Sequence, residues 1–321
     1  MTELEILRQA HSADLQLLDE AIHRQLNSGS ALMNAVVTSQ LRTKGKQIRP
    51  LVVILCAGMF GPVTDKVIAA AAAVELLHNA SLIHDDVVDA SMTRRNHPTI
   101  NSVWDNHIAV LVGDFYTSGA MQQAISTGDI RIVDALCHLG KELSLGEIDQ
   151  IYNAREHCLT EETYFNIIDC KTASLFVACA RMGCYASGID DSRMETLAEF
   201  AHLLGRCFQL RDDVFDYYDA ATVGKPTGND LREGKVTLPL LHAMDVCPEA
   251  GVAEILAKGE LTDDEISGLL EFARQKGGID YTFEVMQQLR GRAAALLDTL
   301  PDSPQREELL RMFDFVIERT F

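Results

Sequence analysis

Apolar positions recur at three- and four-residue intervals through most of the chain, in segments of roughly 12 to 30 residues, and that spacing predicts helices. Glu195-Leu197-Phe200-Leu203-Leu204 and Glu308-Leu309-Met312-Phe313-Val316-Ile317 show it well, with their apolar members on one face. Turn signals separate the segments, among them Asn27-Ser28-Gly29-Ser30, Phe60-Gly61-Pro62, Asn96-His97-Pro98, Ser126-Thr127-Gly128-Asp129 and Pro301-Asp302-Ser303-Pro304. Val52-Val53-Ile54-Leu55 has the composition of a buried strand, but nothing nearby alternates as a partner strand and no GxGxxG or P-loop pattern follows. The chain therefore reads as all-α. It reads as a single domain over residues 1–321, with the chemistry between about 40 and 245 and packing helices from about 250 onward.

One segment carries a charge pattern that packing alone does not explain. An alanine-rich apolar run from Val67, free of Gly and Pro, leads into Leu76-Leu77-His78-Asn79-Ala80-Ser81-Leu82-Ile83-His84-Asp85-Asp86-Val87-Val88-Asp89. On a helix, Asp85 and Asp89 lie roughly 40° apart around the axis, and Asp86 lies roughly 100° from Asp85. Three anions there repel one another and occupy the end of the helix dipole that disfavours them. Bound cations are the commonest compensation. The pattern returns as Gln209-Leu210-Arg211-Asp212-Asp213-Val214-Phe215-Asp216, again after an apolar helical run. Two copies imply two helices facing each other across a cavity with carboxylates at its mouth. Carboxylate ligands select a hard cation, and Mg2+ binds through a few carboxylates plus substrate phosphates, so the pattern points to a diphosphate or polyphosphate substrate.

Composition sharpens this. With 28 basic and 47 acidic residues the formal charge is −19, which disfavours nucleic acid and anionic membrane as partners. The few basic clusters then become candidate phosphate ligands: Lys44-Gly45-Lys46-Gln47-Ile48-Arg49-Pro50, Arg94-Arg95, Lys171-Thr172, and Lys225 and Lys235 on a glycine-rich segment suited to a lid. The first residues lack the basic and apolar regions of a signal peptide. The uncharged run Leu51 to Thr64 is shorter than the roughly 18 residues of a membrane span, so no membrane insertion and a cytoplasmic location are expected. Eight cysteines without a CxxC pair are expected to be reduced and mostly buried.

The order and spacing of these motifs resemble the all-trans polyprenyl diphosphate synthases. The resemblance runs through Lys46-x-x-Arg49-Pro50, Asp85-Asp86-x-x-Asp89, Arg94-Arg95, Gly146-Glu147-x-x-Gln150, Lys171-Thr172, Phe208-Gln209, Asp212-Asp213-x-x-Asp216, Gly224-Lys225-Pro226 and Gly234-Lys235. It implies the isoprenoid synthase fold, a helical bundle around a deep cavity, and a homodimer. It implies Asp85, Asp89 and Asp212 as metal ligands, supported by Asp86, Asp213 and Asp216. Lys46, Arg49, His78 and Arg95 would hold isopentenyl diphosphate, and Arg94, Lys171, Thr172, Gln209, Lys225 and Lys235 the allylic diphosphate. Two flanking positions depart from the family: Lys44 stands where a first glycine of a pair is usual, and Asn96 where a glycine follows the arginines.

Ala80 and Ser81, five and four residues before Asp85, lie about 6 to 7.5 Å deeper along the helix. Family members with short products often carry aromatics there, so these small residues, with Gly119 and Ala120 further on, imply a product beyond C20. Other readings are an enzyme with a shorter product, an HD-type metal phosphohydrolase using His84-Asp85, a terpene cyclase, and a non-catalytic partner subunit. The second intact DDxxD cluster argues against the last three.

Overall fold

A computed structural model describes residues 1–41, 45–95, 97–156, 160–218, 227–248 and 251–319. Among them the helices are α1 (Glu3–Ala10), α2 (Ser12–Leu26), α3 (Ala31–Leu41), α4 (Ile48–Gly58), α5 (Asp65–Val88), α6 (Ile100–Val103), α7 (Asn106–Ser126), α8 (Ile130–Glu156), α9 (Glu161–Ile168), α10 (Ser174–Ser187), α11 (Asp191–Phe215), α12 (Asn229–Arg232), α13 (Leu238–Val246), α14 (Val252–Leu256), α15 (Asp263–Gln275), α16 (Gly278–Leu297) and α17 (Pro304–Glu318). The strands described are β1 (Thr93–Arg94) and β2 (His97–Pro98), an antiparallel pair in which Arg94 faces His97. The all-α reading holds, and Val52-Val53-Ile54-Leu55 lies within α4, buried on every side.

The chain divides into two compact units. The first comprises Met1–Gly140, Leu175–Ala198 and Leu300–Leu309, the second Lys141–Ser174, Glu199–Thr299 and Leu310–Phe321. In the first unit α5 is the central helix, packed on α7 most extensively and also on α4 and α2. Its alanines at 70 to 73 are wholly buried, and small side chains let neighbouring helices approach. This helix is long and apolar enough to cross a membrane, yet two-thirds of its most apolar window (67%) is buried within the protein, as expected of a core helix. α10 approaches α4 closely at Gly183, where an added Cβ would lie 2.6 Å from the Val53 carbonyl oxygen.

In the second unit α13 packs against α15, α16 and α9. Their core joins Tyr217, Leu231, Leu240, Ala243, Ile266 and Leu269. Thr262 caps α15 through a reciprocal bond pattern with Glu265, which accounts for the acidic run Asp263-Asp264-Glu265 as a helix start. Seven cysteines fall among the described residues, and Cys56, Cys179, Cys184 and Cys207 are buried.

The α4–α10 contact sets a stability test. Gly183→Ala forces a methyl against a main-chain carbonyl that cannot rotate away, and should cost ~1–3 kcal/mol in urea denaturation. A loss under about 0.5 kcal/mol would show that the two helices can part freely.

Candidate active site

Each aspartate cluster lies at the C-terminal end of a long helix, and in each the middle carboxylate is the buried one. Asp86 is 7% exposed and Asp213 only 3% exposed, whereas Asp85, Asp212 and Asp216 are half-buried and Asp89 is exposed. The roughly 100° turn between adjacent helical residues produces this split. A buried carboxylate needs hydrogen-bond partners, and both have them. Arg94 donates from Nε to Asp86 Oδ1 at 2.7 Å. Asp213 accepts from the Tyr164 hydroxyl at 2.5 Å and from Gln209 Nε2 at 2.7 Å.

In the first unit the cations gather around His78. Arg94 lies in β1, while Arg95 takes the left-handed turn position (φ 51°), so the adjacent guanidinium groups diverge. Arg94 reaches Asp86, and Arg95 lies over Gly45, where an added Cβ would come within 2.8 Å of its Nη1. The glycine that is present therefore leaves room for this arginine; Lys44 and Asn96 lie outside the described residues. Lys46 is exposed, and Arg49 sits with its Cζ 5.6 Å from the Phe176 ring centroid. His78 is buried, and burial, then the charges of Arg49, Arg95 and Arg94, hold its imidazole well below the ordinary value. It is neutral at pH 7 and can present an N–H to an anion.

In the second unit the helix carrying Lys171 is interrupted by a π-helical turn, Asp169–Ala173. Such turns frequently mark functional sites. Asp169 anchors it to α11, accepting from Arg206 Nε at 2.6 Å and lying 2.8 Å from His202 Nε2. Gly146 lets α8 pass close beneath, since a Cβ there would lie 2.9 Å from the Lys171 amide nitrogen. One turn on, Gln150 accepts from Lys171 Nζ at 3.2 Å, and Glu147 pairs with the same ammonium. The Gly146-Glu147-x-x-Gln150 motif thus acts as a seat for Lys171. Thr172 donates to Gln209 Oε1 at 2.7 Å, which links Thr172, Gln209, Asp213 and Tyr164 in one chain. Lys171, Thr172, Gln209, Asp213 and Lys235 line a cavity of about 150 Å³ that extends past Tyr164 and Thr163.

Sequence reasoning gave no role to Tyr164, Arg319 or Asp230. Arg319 is 7% exposed, stacks on Phe208 (4.1 Å) and donates to Asp212 Oδ1 at 2.8 Å. The Asp230 amide donates to Asp216 Oδ2 at 2.9 Å. All act across long stretches of sequence, and local spacing holds no signal of them. Lys225 lies outside the described residues.

Three expectations change in detail. His84 packs edge-on against α7, where a Cβ on Gly113 would overlap its ring, and Nε2 lies 3.2 Å from the Val110 carbonyl. It is a helix-packing residue, so the metal-phosphohydrolase reading loses its histidine. Gly119 faces Gln25 of α2, whose Cγ would lie 3.2 Å from an added Cβ, so it serves packing there and does not mark an open path. Ala80, one turn before His84, shares its face towards α7 and is fully enclosed (1% exposed), while Ser81 is half-buried.

Among the described residues no three His, Cys, Asp or Glu side chains converge as a preformed metal cage. The outer aspartates supply only carboxylate oxygens, a donor set that suits a hard divalent cation completed by phosphate and water.

Comparison with known proteins shows the family. The family model for polyprenyl synthetase matches residues 30–272, and the chain belongs to that family. It is 34% identical over 319 residues to the octaprenyl diphosphate synthase of Escherichia coli, covering 98% of this chain and 99% of that protein. The crystal structure of a decaprenyl diphosphate synthase from Rhodobacter capsulatus superposes with a TM-score of 0.93 at 32% identity, covering 99% of both chains. A Caulobacter crescentus polyprenyl synthase, solved with calcium and isoprenyl diphosphate, gives a TM-score of 0.92 at 32% identity over 99% of this chain and 98% of that one.

Asp213 yields a pH test. Burial, the largest influence, together with the charges of Asp212 and Asp216, pushes its carboxyl up to about 7 against the bonds from Tyr164 and Gln209. Between about pH 4 and 7 the folded chain holds a proton that the unfolded chain has released, so stability should fall as pH rises through that window. Asp213 alone contributes a slope of at most ~1.4 kcal/mol per pH unit, which vanishes above it. Urea denaturation of the metal-free chain from pH 5 to 8 should show this decline, and Asp213→Asn should flatten it.

Proposed function

We propose that the protein is a long-chain all-trans polyprenyl diphosphate synthase that condenses isopentenyl diphosphate onto an allylic diphosphate with Mg2+. The observation that carries this reading is the completeness of both aspartate clusters, each with its middle carboxylate buried and held and its outer ones more exposed. Asp85 and Asp89 would hold magnesium in the first unit, as Asp212 and Asp216 would in the second. Bound magnesium would neutralise the leaving diphosphate and draw electrons from the allylic C1–O bond.

The chain's own residues do the rest. Lys171, Thr172, Gln209, Lys225, Lys235 and Arg94 bind the allylic diphosphate. Lys171 keeps its direction from Glu147 and Gln150, and Thr172 from Gln209. Lys46, Arg49 and Arg95 hold the isopentenyl diphosphate, with neutral His78 as a hydrogen-bond donor. Apolar helix walls exclude the water that would quench the allylic cation. The isopentenyl double bond then attacks, and a proton leaves to the released diphosphate. The whole chain works as one catalytic domain in the cytoplasm. A homodimer suits the exposed apolar stripe Val110, Leu111, Met121 and Ile125 on α7.

Incubation with farnesyl diphosphate, isopentenyl diphosphate and Mg2+ should give products longer than C20, sized by chromatography. A chelator should abolish turnover, and Asp85→Ala should lower kcat by about 10²–10³-fold. Release of phosphate without chain growth would overturn the assignment.

Ser81 and Ala80 set a separate test of chain length. Ser81→Phe should shorten the product. Ala80→Phe should shorten it too, with a lower Tm because that site is enclosed. Unchanged product length in both would remove the argument from small residues.

A further inference from the structure

The segment carrying Lys46 and Arg49 turns on a residue that the chemistry above does not use. Gln47 has φ 55°, a left-handed conformation uncommon for any residue but glycine, asparagine or aspartate. It stands at the N-cap of α4, where extended backbone is usual, and no side-chain cap bond holds it there. Its side chain is instead held from outside. It is 9% exposed, its Oε1 accepts from Arg8 Nη2 of α1 at 3.1 Å, and its Nε2 donates to Asp19 Oδ1 of α2 at 3.0 Å. An amide read at both ends by opposite charges has only one orientation.

The consequence lies in the neighbours. Lys46 immediately precedes the turn and Arg49 occupies the first turn of α4, so the Gln47 backbone sets the angle between their departure points. A strained backbone persists only where its surroundings over-determine it, and such positions cluster at binding sites. Arg95, the third cation of this group, is likewise left-handed, at φ 51°, and its guanidinium covers Gly45. Two left-handed residues therefore flank one set of anion ligands.

We infer that Gln47 is a positioning residue for isopentenyl diphosphate: clamped by Arg8 and Asp19, it holds the left-handed turn that presents Lys46 and Arg49 to the diphosphate. This rests on the reading above that those cations bind isopentenyl diphosphate. A glutamine that only fastened α1 and α2 to α4 would affect stability without favouring one substrate over the other.

The test uses the full chain, with isopentenyl diphosphate affinity from calorimetry, steady-state constants for both substrates, and Tm. Gln47→Gly removes both side-chain bonds while leaving the left-handed turn accessible, so it should fold. Its KM and Kd for isopentenyl diphosphate should rise about tenfold, with kcat and the allylic KM within about twofold. Arg8→Ala, which removes one clamp, should shift the same constants in the same direction by about threefold. Unchanged isopentenyl diphosphate constants in Gln47→Gly would overturn the inference. So would a parallel rise for both substrates that tracks a loss of Tm. Lys46→Ala separates the two levels. If it weakens isopentenyl diphosphate binding while Gln47→Gly does not, the positioning role alone fails. If neither Lys46→Ala nor Arg49→Ala affects that binding, the reading of the site fails and the positioning role with it.

Discussion

A carboxylate buried at the end of an apolar helix is the constraint on which the candidate site residues of each unit depend. Desolvating such a group without partners costs several kcal/mol, so whatever satisfies it must be rigidly placed. Asp86 draws Arg94 into a short bond, and that bond fixes the β1–β2 hairpin against the end of α5. With Arg94 committed, Arg95 sits in the turn and is sent the other way, over Gly45. In the second unit Asp213 uses both oxygens, one for Tyr164 and one for Gln209, and the far end of the Gln209 amide accepts from Thr172. The inner aspartates thus organise their surroundings, while the outer ones stay half-buried or exposed.

The same logic explains how an acidic chain can hold anions. A net charge of −19 repels a diphosphate at long range, so the local cations must be held in place in advance. Lys171 illustrates the device. Its ammonium is held by Glu147 and Gln150, its backbone by a π-helical turn, and that turn by Arg206 through Asp169. The pairing with Glu147 keeps a half-buried cation satisfied until a stronger anion competes for it. Gly146 makes the arrangement possible, because any side chain there would strike the turn. His78 is the complementary case: surrounded by arginines it stays neutral, and adds a hydrogen-bond donor without adding repulsion.

Much of this was legible in the sequence. The helices follow from apolar spacing, and the two DDxxD clusters stand out because their charges contradict the segments that lead into them. Family resemblance supplied the remaining candidate ligands, through the order and spacing of the motifs. Legibility fails where a partner lies far along the chain. Tyr164 and Asp213 are 49 positions apart, and Asp212 and Arg319 are 107 apart. No local pattern marks Gln47 as strained or Arg8 and Asp19 as its clamps. Gly119 shows the opposite error, a small residue that suggested free space and proved to be filled by Gln25.

The sequence by itself therefore determined the all-α class, the two aspartate clusters and the diphosphate chemistry, since each depends on residue type and spacing. Only the tertiary structure decided which aspartate of each cluster faces inward, where each of two adjacent arginines goes, and which face of α5 is filled. Those outcomes depend on what packs alongside a helix. A periodic sequence states that a face is apolar, but its neighbours determine whether that face meets a ring, a backbone or open space.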